Sequence, residues 1–178
     1  MVQKQPKRTQ RRETELAPVV LDERAQELKC ALGIMLPQEY EGQLDAEVDM
    51  IVLTLPASSL REVSRLLKET SELRFDYLCS ITVVDYEEIE NRFEVIYHMV
   101  SFLNHYKLAV KISVSTECLV VPSVNDIWRS AGWFEREGHD LYGVVFDGNP
   151  DLSPLLLYEG FDGYPGRRSF PYHDYQEW

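Results

Sequence analysis

The chain is short of almost everything that would let it do chemistry alone. Its 178 residues contain no apolar run approaching the roughly 18 needed to cross a bilayer as a helix, the longest being strand-sized pieces such as residues 50–53 (MIVL) and 144–146 (VVF). No CxxC pair occurs among Cys30, Cys79 and Cys118, so an iron–sulfur or zinc ligand set of the usual spacing is missing. An odd count, wide spacing and mostly apolar neighbours suit a reducing compartment, with the thiols acting as small hydrophobes. There is no GxGxxG or GxxxxGK[ST] loop to cradle a nucleotide and no GxSxG elbow. The first residues lack the apolar segment of a secretory signal, so export is not expected. Basic charge is scarce beyond the opening arm: residues 1–12 carry five positive charges and no acid, so a net charge of −12 becomes −17 over the rest. An acidic body repels phosphate backbones, which excludes nucleic acid as the expected partner and favours proteins.

What is present reads as one domain with a basic arm before it and a tail after it. Residues 1–17 are expected to be a disordered basic arm, 18–145 an α+β domain and 146–178 an extended docking tail. Residues 21–33 predict a helix capped by Asp22, with Ala25, Leu28, Ala31 and Leu32 on one side and Gly33 as the stop. Residues 48–55 predict a strand covered on both faces and ended by Pro56. In 58–73, Ser59 and Glu62 suggest a capping box ahead of Leu60, Val63, Leu66 and Leu67 at helical spacing. Strands are expected at 75–86, 92–103 and 107–115, joined by the short polar YEEIEN and by a turn at Asn104-His105, and so paired antiparallel. The fold class is therefore a two-layer α+β domain with a mixed, mainly antiparallel sheet and helices on one face, a parallel pair entering through the strand-helix-strand unit. Residues 123–143 predict one or two short helices, with Ser123 as a cap and Gly132 as a break. Beyond Phe146, the recurrence of Pro150, Pro154, Pro165 and Pro171 among Gly148, Gly160, Gly163 and Gly166 forbids long regular elements.

One stretch crowds its charges: WFEREGHDLYGVVFDGNPDL, residues 133–152. On a helix, Glu135 and His139 share a face, as do Arg136 and Asp140. Two readings follow. In one, Glu135, Glu137, His139 and Asp140 form the partial ligand set of a metal-dependent hydrolase. In the other, Arg136 pairs with Asp140 while Trp133, Phe134, Leu141 and Tyr142 pack inward. His98, flanked by Tyr97 and Met99, reads as a satisfied sheet histidine. Arg167-Arg168 is the only basic pair in the second half, and its guanidinium groups could grip a neighbour's carboxylates or be merely solvated.

The same stretch resembles the signature of the C-type, or 30 kDa, subunit family of proton-pumping NADH:quinone oxidoreductase (respiratory complex I): an aromatic, E-R-E, two variable residues, D-[ML]-[FY]-G-[IV], and an aromatic before G-[HN]-P-D-L. The likeness extends through RFEVIYHMVSF, KLAVKISVS, VPSVNDIW and Leu73-Arg74-Phe75, covering about residues 20–178. The resemblance implies a cofactor-free structural subunit of the peripheral arm, docked beside the quinone-pocket subunit and the terminal iron–sulfur cluster subunit. It implies a peripheral position on the inner membrane, facing the bacterial cytoplasm or the mitochondrial matrix, with membrane contact only through the complex. NADH, FMN, iron–sulfur clusters and quinone belong to the whole assembly. Glu135, Arg136, Glu137, Asp140, Gly143 and Pro150 become structural signature positions, and Asp151, Arg167, Arg168 and Pro171 partner contacts. The equivalent subunit of a membrane-bound hydrogenase or formate hydrogenlyase is the related alternative. Four tail positions depart from the family pattern: Asn149 for a histidine, Ser153-Pro154 for a basic pair, Gly166 for a leucine and Ser169 for an aspartate.

Overall fold

The structure, a computed structural model, describes residues 21–37, 43–47 and 50–171. The basic arm lies outside the described residues. Helix α1 (Glu23–Met35) begins where Asp22 accepts from the Ala25 amide at 2.7 Å, as the sequence predicts, and buries Leu28 and Leu32. It runs two residues past Gly33, because nothing in the helix requires a left-handed residue there. Strands β1 (Leu44–Glu47) and β2 (Met50–Leu55) form an antiparallel pair. Helix α2 (Leu60–Glu69) turns Leu60, Val63 and Leu67 inward. Ser59 is already helical in its own backbone, so its hydroxyl makes no cap bond, and the expected capping box is not formed.

Then come β3 (Tyr77–Asp85), the single turn α3 (Glu87–Glu90), β4 (Arg92–Ser101) and β5 (Tyr106–Ser115), the last three strands antiparallel in order. His105 closes the β4–β5 hairpin with φ +55°. The sheet order is β1-β2-β5-β4-β3, and the one parallel contact joins β2 to β5. The strand-helix-strand unit thus carries the chain to the far edge, and the hairpins bring it back beside β2. Residues 123–130 are turns, with the Ile127 and Trp128 amides both donating to the Val124 carbonyl. Helix α4 (Ala131–Tyr142) follows, with Gly132 inside its first turn, and β6 (Val120–Pro122) pairs in parallel with β7 (Val145–Asp147).

Helices α1, α2 and α4 share one core with the sheet. Strand β4 alternates strictly, sending Phe93, Val95, Tyr97 and Met99 inward opposite Val114, Ile112, Val110 and Leu108 of β5. Burying such a side chain contributes about 1.5–3 kcal/mol. The other sheet face carries Glu94, Ile96, His98 and Lys111 and is open, which leaves Thr54 of β2 exposed. Val52 on that face is nevertheless only 3% exposed, so the expectation of a doubly covered strand holds at one position and not along its length. Phe146 lies in β7 at 1% exposure and belongs to the body; from Gly148 to Pro171 there is no further helix or strand. Cys30 and Cys118 are exposed, against the expectation of buried small hydrophobes: Cys30 lies away from the buried side of α1, and Cys118 follows the turn after β5.

Candidate functional site

Helix α4 is the meeting point of body and tail, and its charged residues separate by the direction in which each leaves the helix. Glu135 points into the core and is 0% exposed. Its carboxylate accepts from the Ser123 hydroxyl at 2.7 Å, the Val124 amide at 2.8 Å and the Asn149 side-chain amide at 2.7 Å. It joins the turn before the helix to the loop after β7. Burial pushes this carboxyl above its ordinary value of 4.5, against the three hydrogen bonds and helped by the Asp126 charge. Close by in the core, the Tyr97 hydroxyl is raised well above its usual range by burial and by the charge of Glu135. That hydroxyl has no hydrogen-bond partner among the described residues.

Asp140 faces the tail. Its Oδ2 accepts three successive backbone amides, Leu155 at 3.1 Å, Leu156 at 2.7 Å and Leu157 at 2.9 Å. Desolvation opposes the charge, but these amides together with His139 hold the carboxyl below its ordinary value of 3.8. The expected Arg136–Asp140 pair is not made. Asp140 is taken up by the amides, and Arg136 turns along the tail to donate to the Ser153 carbonyl (3.1 Å), the Ser153 hydroxyl (3.1 Å) and the Pro154 carbonyl (3.0 Å). It also stands 3.7 Å from Asp151 and over the Trp133 ring at 5.4 Å. Trp133, expected to pack inward, is 64% exposed, since Gly138 and Ala131 already fill the contact with the sheet. Gly138 sits so near Val83 and Phe146 that a Cβ there would meet both at 3.2 Å.

At the end of the helix Gly143 adopts φ +75° and its amide donates to the His139 carbonyl. A Cβ would lie 2.6 Å from the Tyr164 ring and 2.9 Å from the Arg167 guanidinium, so both conformation and space require glycine. Arg167 donates to the Tyr142 carbonyl at 2.8 Å and lies between the Tyr164 and Phe93 rings, 4.7 and 5.2 Å from their centroids. Half-buried, it holds the tail to the body through these contacts. Arg168 donates its backbone amide to Asp85 at 2.8 Å, while its side chain is exposed. Glu137, Pro150, Asp151 and Pro171 are exposed as well.

The four altered tail positions fit this closed arrangement. Asn149 donates its side-chain N–H to Glu135, a bond that a histidine N–H has the chemistry to make. The Ser153 hydroxyl accepts from Arg136, where a basic side chain would repel it. At Gly166, whose amide reaches the Leu141 carbonyl at 2.9 Å, a Cβ would meet the Tyr142 ring at 2.8 Å, so a leucine has no room. Ser169 donates to Glu87 at 3.1 Å, where an aspartate would face a like charge. Sequence reasoning missed Asp85, which accepts the Glu87 amide locally and the Arg168 amide from the tail. Its spacing to Glu87 signals a turn; nothing local signals Arg168.

The metal-site reading fails on geometry. Glu135 is enclosed, Glu137 faces outward, Asp140 binds the tail and His139 contacts the Val144 carbonyl at 2.9 Å, so the four do not converge. Among the described residues no group of three or more His, Cys, Asp or Glu side chains is placed to hold a metal ion. No helix of the described residues is long and apolar enough to cross a membrane.

These features define a scaffold domain: an α+β body whose acidic helix binds backbone and side-chain donors of its own chain. The profile of the family described as respiratory-chain NADH dehydrogenase, 30 kDa subunit, matches residues 53–176. The C-type subunit of NADH-quinone oxidoreductase from Burkholderia mallei is 40% identical over 157 residues, covering 84% of this chain and 76% of its own. A C-type subunit of the same enzyme from Rhizobium meliloti is 38% identical over 134 residues, covering 75% and 73%. A trypsin-resistant fragment (1–134) of Nqo5 superposes with a TM-score of 0.59 at 28% identity, covering 70% of this chain and 98% of the fragment. A chain of the archaeal membrane-bound sulfane sulfur reductase, a respiratory membrane complex, gives 0.70 at 25% identity, covering 84% and 86%. The chain belongs to the 30 kDa, or C-type, subunit family of NADH:quinone oxidoreductase.

Proposed function

We propose that this chain is a cofactor-free structural subunit of the peripheral arm of NADH:quinone oxidoreductase, serving electron transfer from NADH to quinone coupled to proton translocation. The observation that carries the reading is the use made of the signature helix. Glu135, Arg136 and Asp140 direct their hydrogen bonds to the chain's own backbone and side chains, fixing a shape for others to dock on rather than presenting groups to a substrate. The body comprises residues 18–147, so that β7 is whole, residues 148–178 form the docking tail, and the arm 1–17 precedes them. Its neighbours are the quinone-pocket subunit and the terminal iron–sulfur cluster subunit, and Asp151, Arg167, Arg168 and Pro171 are the tail positions that meet them. It sits peripherally on the inner membrane, on the cytoplasmic side in a bacterium or the matrix side in a mitochondrion.

The likeness to the sulfane sulfur reductase chain favours a second reading within the same class, a subunit of a kindred membrane-bound reductase or hydrogenase complex. Affinity purification from solubilised membranes decides between them by what accompanies the tagged chain. Co-purification with NADH-oxidising partners is expected; a hydrogenase or sulfur-reducing set supports the second reading, and a chain recovered alone sinks both. Arg136→Ala should lower recovery of the partners severalfold, because it frees the tail at Ser153 and Pro154.

A further inference from the structure

We infer that the cavity between the C-terminal half of α4 and the tail is a socket for a cationic side chain, lysine or arginine, supplied by a neighbouring polypeptide. The inference rests on the reading of the chain as a subunit. The cavity has a volume of about 130 Å³ and is lined by His139 and Asp140 on the helix and by Leu157, Tyr158, Phe161 and Tyr164 on the tail. That is room for one side-chain head, well below the roughly 300 Å³ at which drug-sized ligand pockets begin.

The chemistry of the lining selects the charge. The Val144 carbonyl can only accept, so the His139 Nδ1, 2.9 Å from it, carries a proton and turns that edge of the ring away from the cavity's other groups. On Asp140 all three tail amides converge on Oδ2, and among the described residues Oδ1 takes no donor. The socket therefore offers a carboxylate oxygen that takes no donor from the described residues, beside the rings of Tyr158, Phe161 and Tyr164. A neutral hydroxyl could donate to the free oxygen but would leave the carboxylate charge unbalanced, whereas an ammonium or guanidinium group donates to it, balances the charge and is attracted by the ring faces. The tail shows the same chemistry with its own residue, since Arg167 lies over the Tyr164 ring at 4.7 Å. Glu159 and Asp162, the exposed chain neighbours of Tyr158 and Phe161, add negative charge beside the lining.

Two measurements test this. The full-length chain, its histidine rings followed by NMR, is titrated with butylguanidinium. The expected result is a saturating displacement of His139, weakened at least threefold by Tyr158→Ala and absent at His98 on the open sheet face. Tyr158 is 72% exposed, so its loss leaves the core untouched. No saturation at His139, or a response indifferent to Tyr158→Ala, overturns the socket. In solubilised membranes, Tyr158→Lys places a resident cation at the socket and should lower partner recovery at least threefold, with Tyr158→Phe neutral. Unchanged recovery for Tyr158→Lys overturns the neighbour's side chain as the occupant. Should the unaltered chain co-purify with nothing while the His139 response persists, the subunit reading fails and the cation site stands.

Discussion

Glu135 and Asp140 occupy one helix, yet they teach opposite lessons about a carboxylate. Glu135 is enclosed, serves the turn before the helix and the loop after β7, and is pushed toward its neutral form by burial. Asp140 stands at the margin, serves three amides of the tail, and is held in its charged form by them. The inner latch fixes the body; the outer one fixes the tail to the body. The difference arises because three backbone N–H groups converge on one Asp140 oxygen and outweigh its desolvation, whereas the donors to Glu135 do not outweigh the desolvation of a fully enclosed carboxyl.

The sharpest way to break this contrast is Glu135→Ala. It leaves the Ser123 hydroxyl, the Val124 amide and the Asn149 amide without an acceptor, in a place water cannot reach. A loss of about 3 kcal/mol or more is expected, read from the urea midpoint of the full chain. Glu135→Gln retains an acceptor and should cost far less. Gly143→Ala comes next, at about 1–2 kcal/mol from the left-handed backbone alone, with further loss as Tyr164 and Arg167 are displaced. Thermal unfolding measures it. Asp140→Ala should cost only ~1 kcal/mol globally, since the released amides turn to solvent. Its signature is local: faster exchange at Leu155, Leu156 and Leu157 and quicker tryptic cleavage at Arg168.

The smallest effect is the dependence on pH, and it separates the two latches by sign. The folded pKa of Asp140 is depressed, so its contribution is complete above the ordinary 3.8 and is lost as pH falls through the folded value. That of Glu135 is raised, so the folded chain holds the proton more tightly. Its penalty is absent below 4.5 and grows as pH rises from there to the folded value. Acidification should shift the amide resonances of Leu155, Leu156 and Leu157 toward those of a free tail, while Glu135→Gln removes a fall in stability with rising pH just above 4.5. Both carboxylates moving stability in the same direction would collapse the distinction.

Much of the fold was legible because its signals are local. The alternation in β4 and the spacing of Leu60, Val63 and Leu67 announce a strand and a helix. The short β1 escaped notice because LDAE has no β-branched residue and little apolar character. At the site, helical spacing brought Arg136 to the same face as Asp140, and that much is true of the helix. It could not reveal that the tail would offer three amides to one residue and three oxygens to the other. Trp133 was misread for a similar reason: its large apolar ring suggests burial, and only the close approach of Gly138 to Val83 shows which face is already full.

By itself the sequence determined the α+β class, the capped start of α1 and the alternation of the sheet, the family signature, and a tail too rich in proline and glycine for regular structure. These follow from backbone sterics and from side-chain periods, which act within a few residues. The tertiary structure decided that β2 lies beside β5, that Glu135 and Asp140 bind different segments, and that Arg167 turns back on Tyr142 and Tyr164. Such choices rest on contacts between residues far apart in the chain, where competing donors and acceptors are compared only after folding has brought them together.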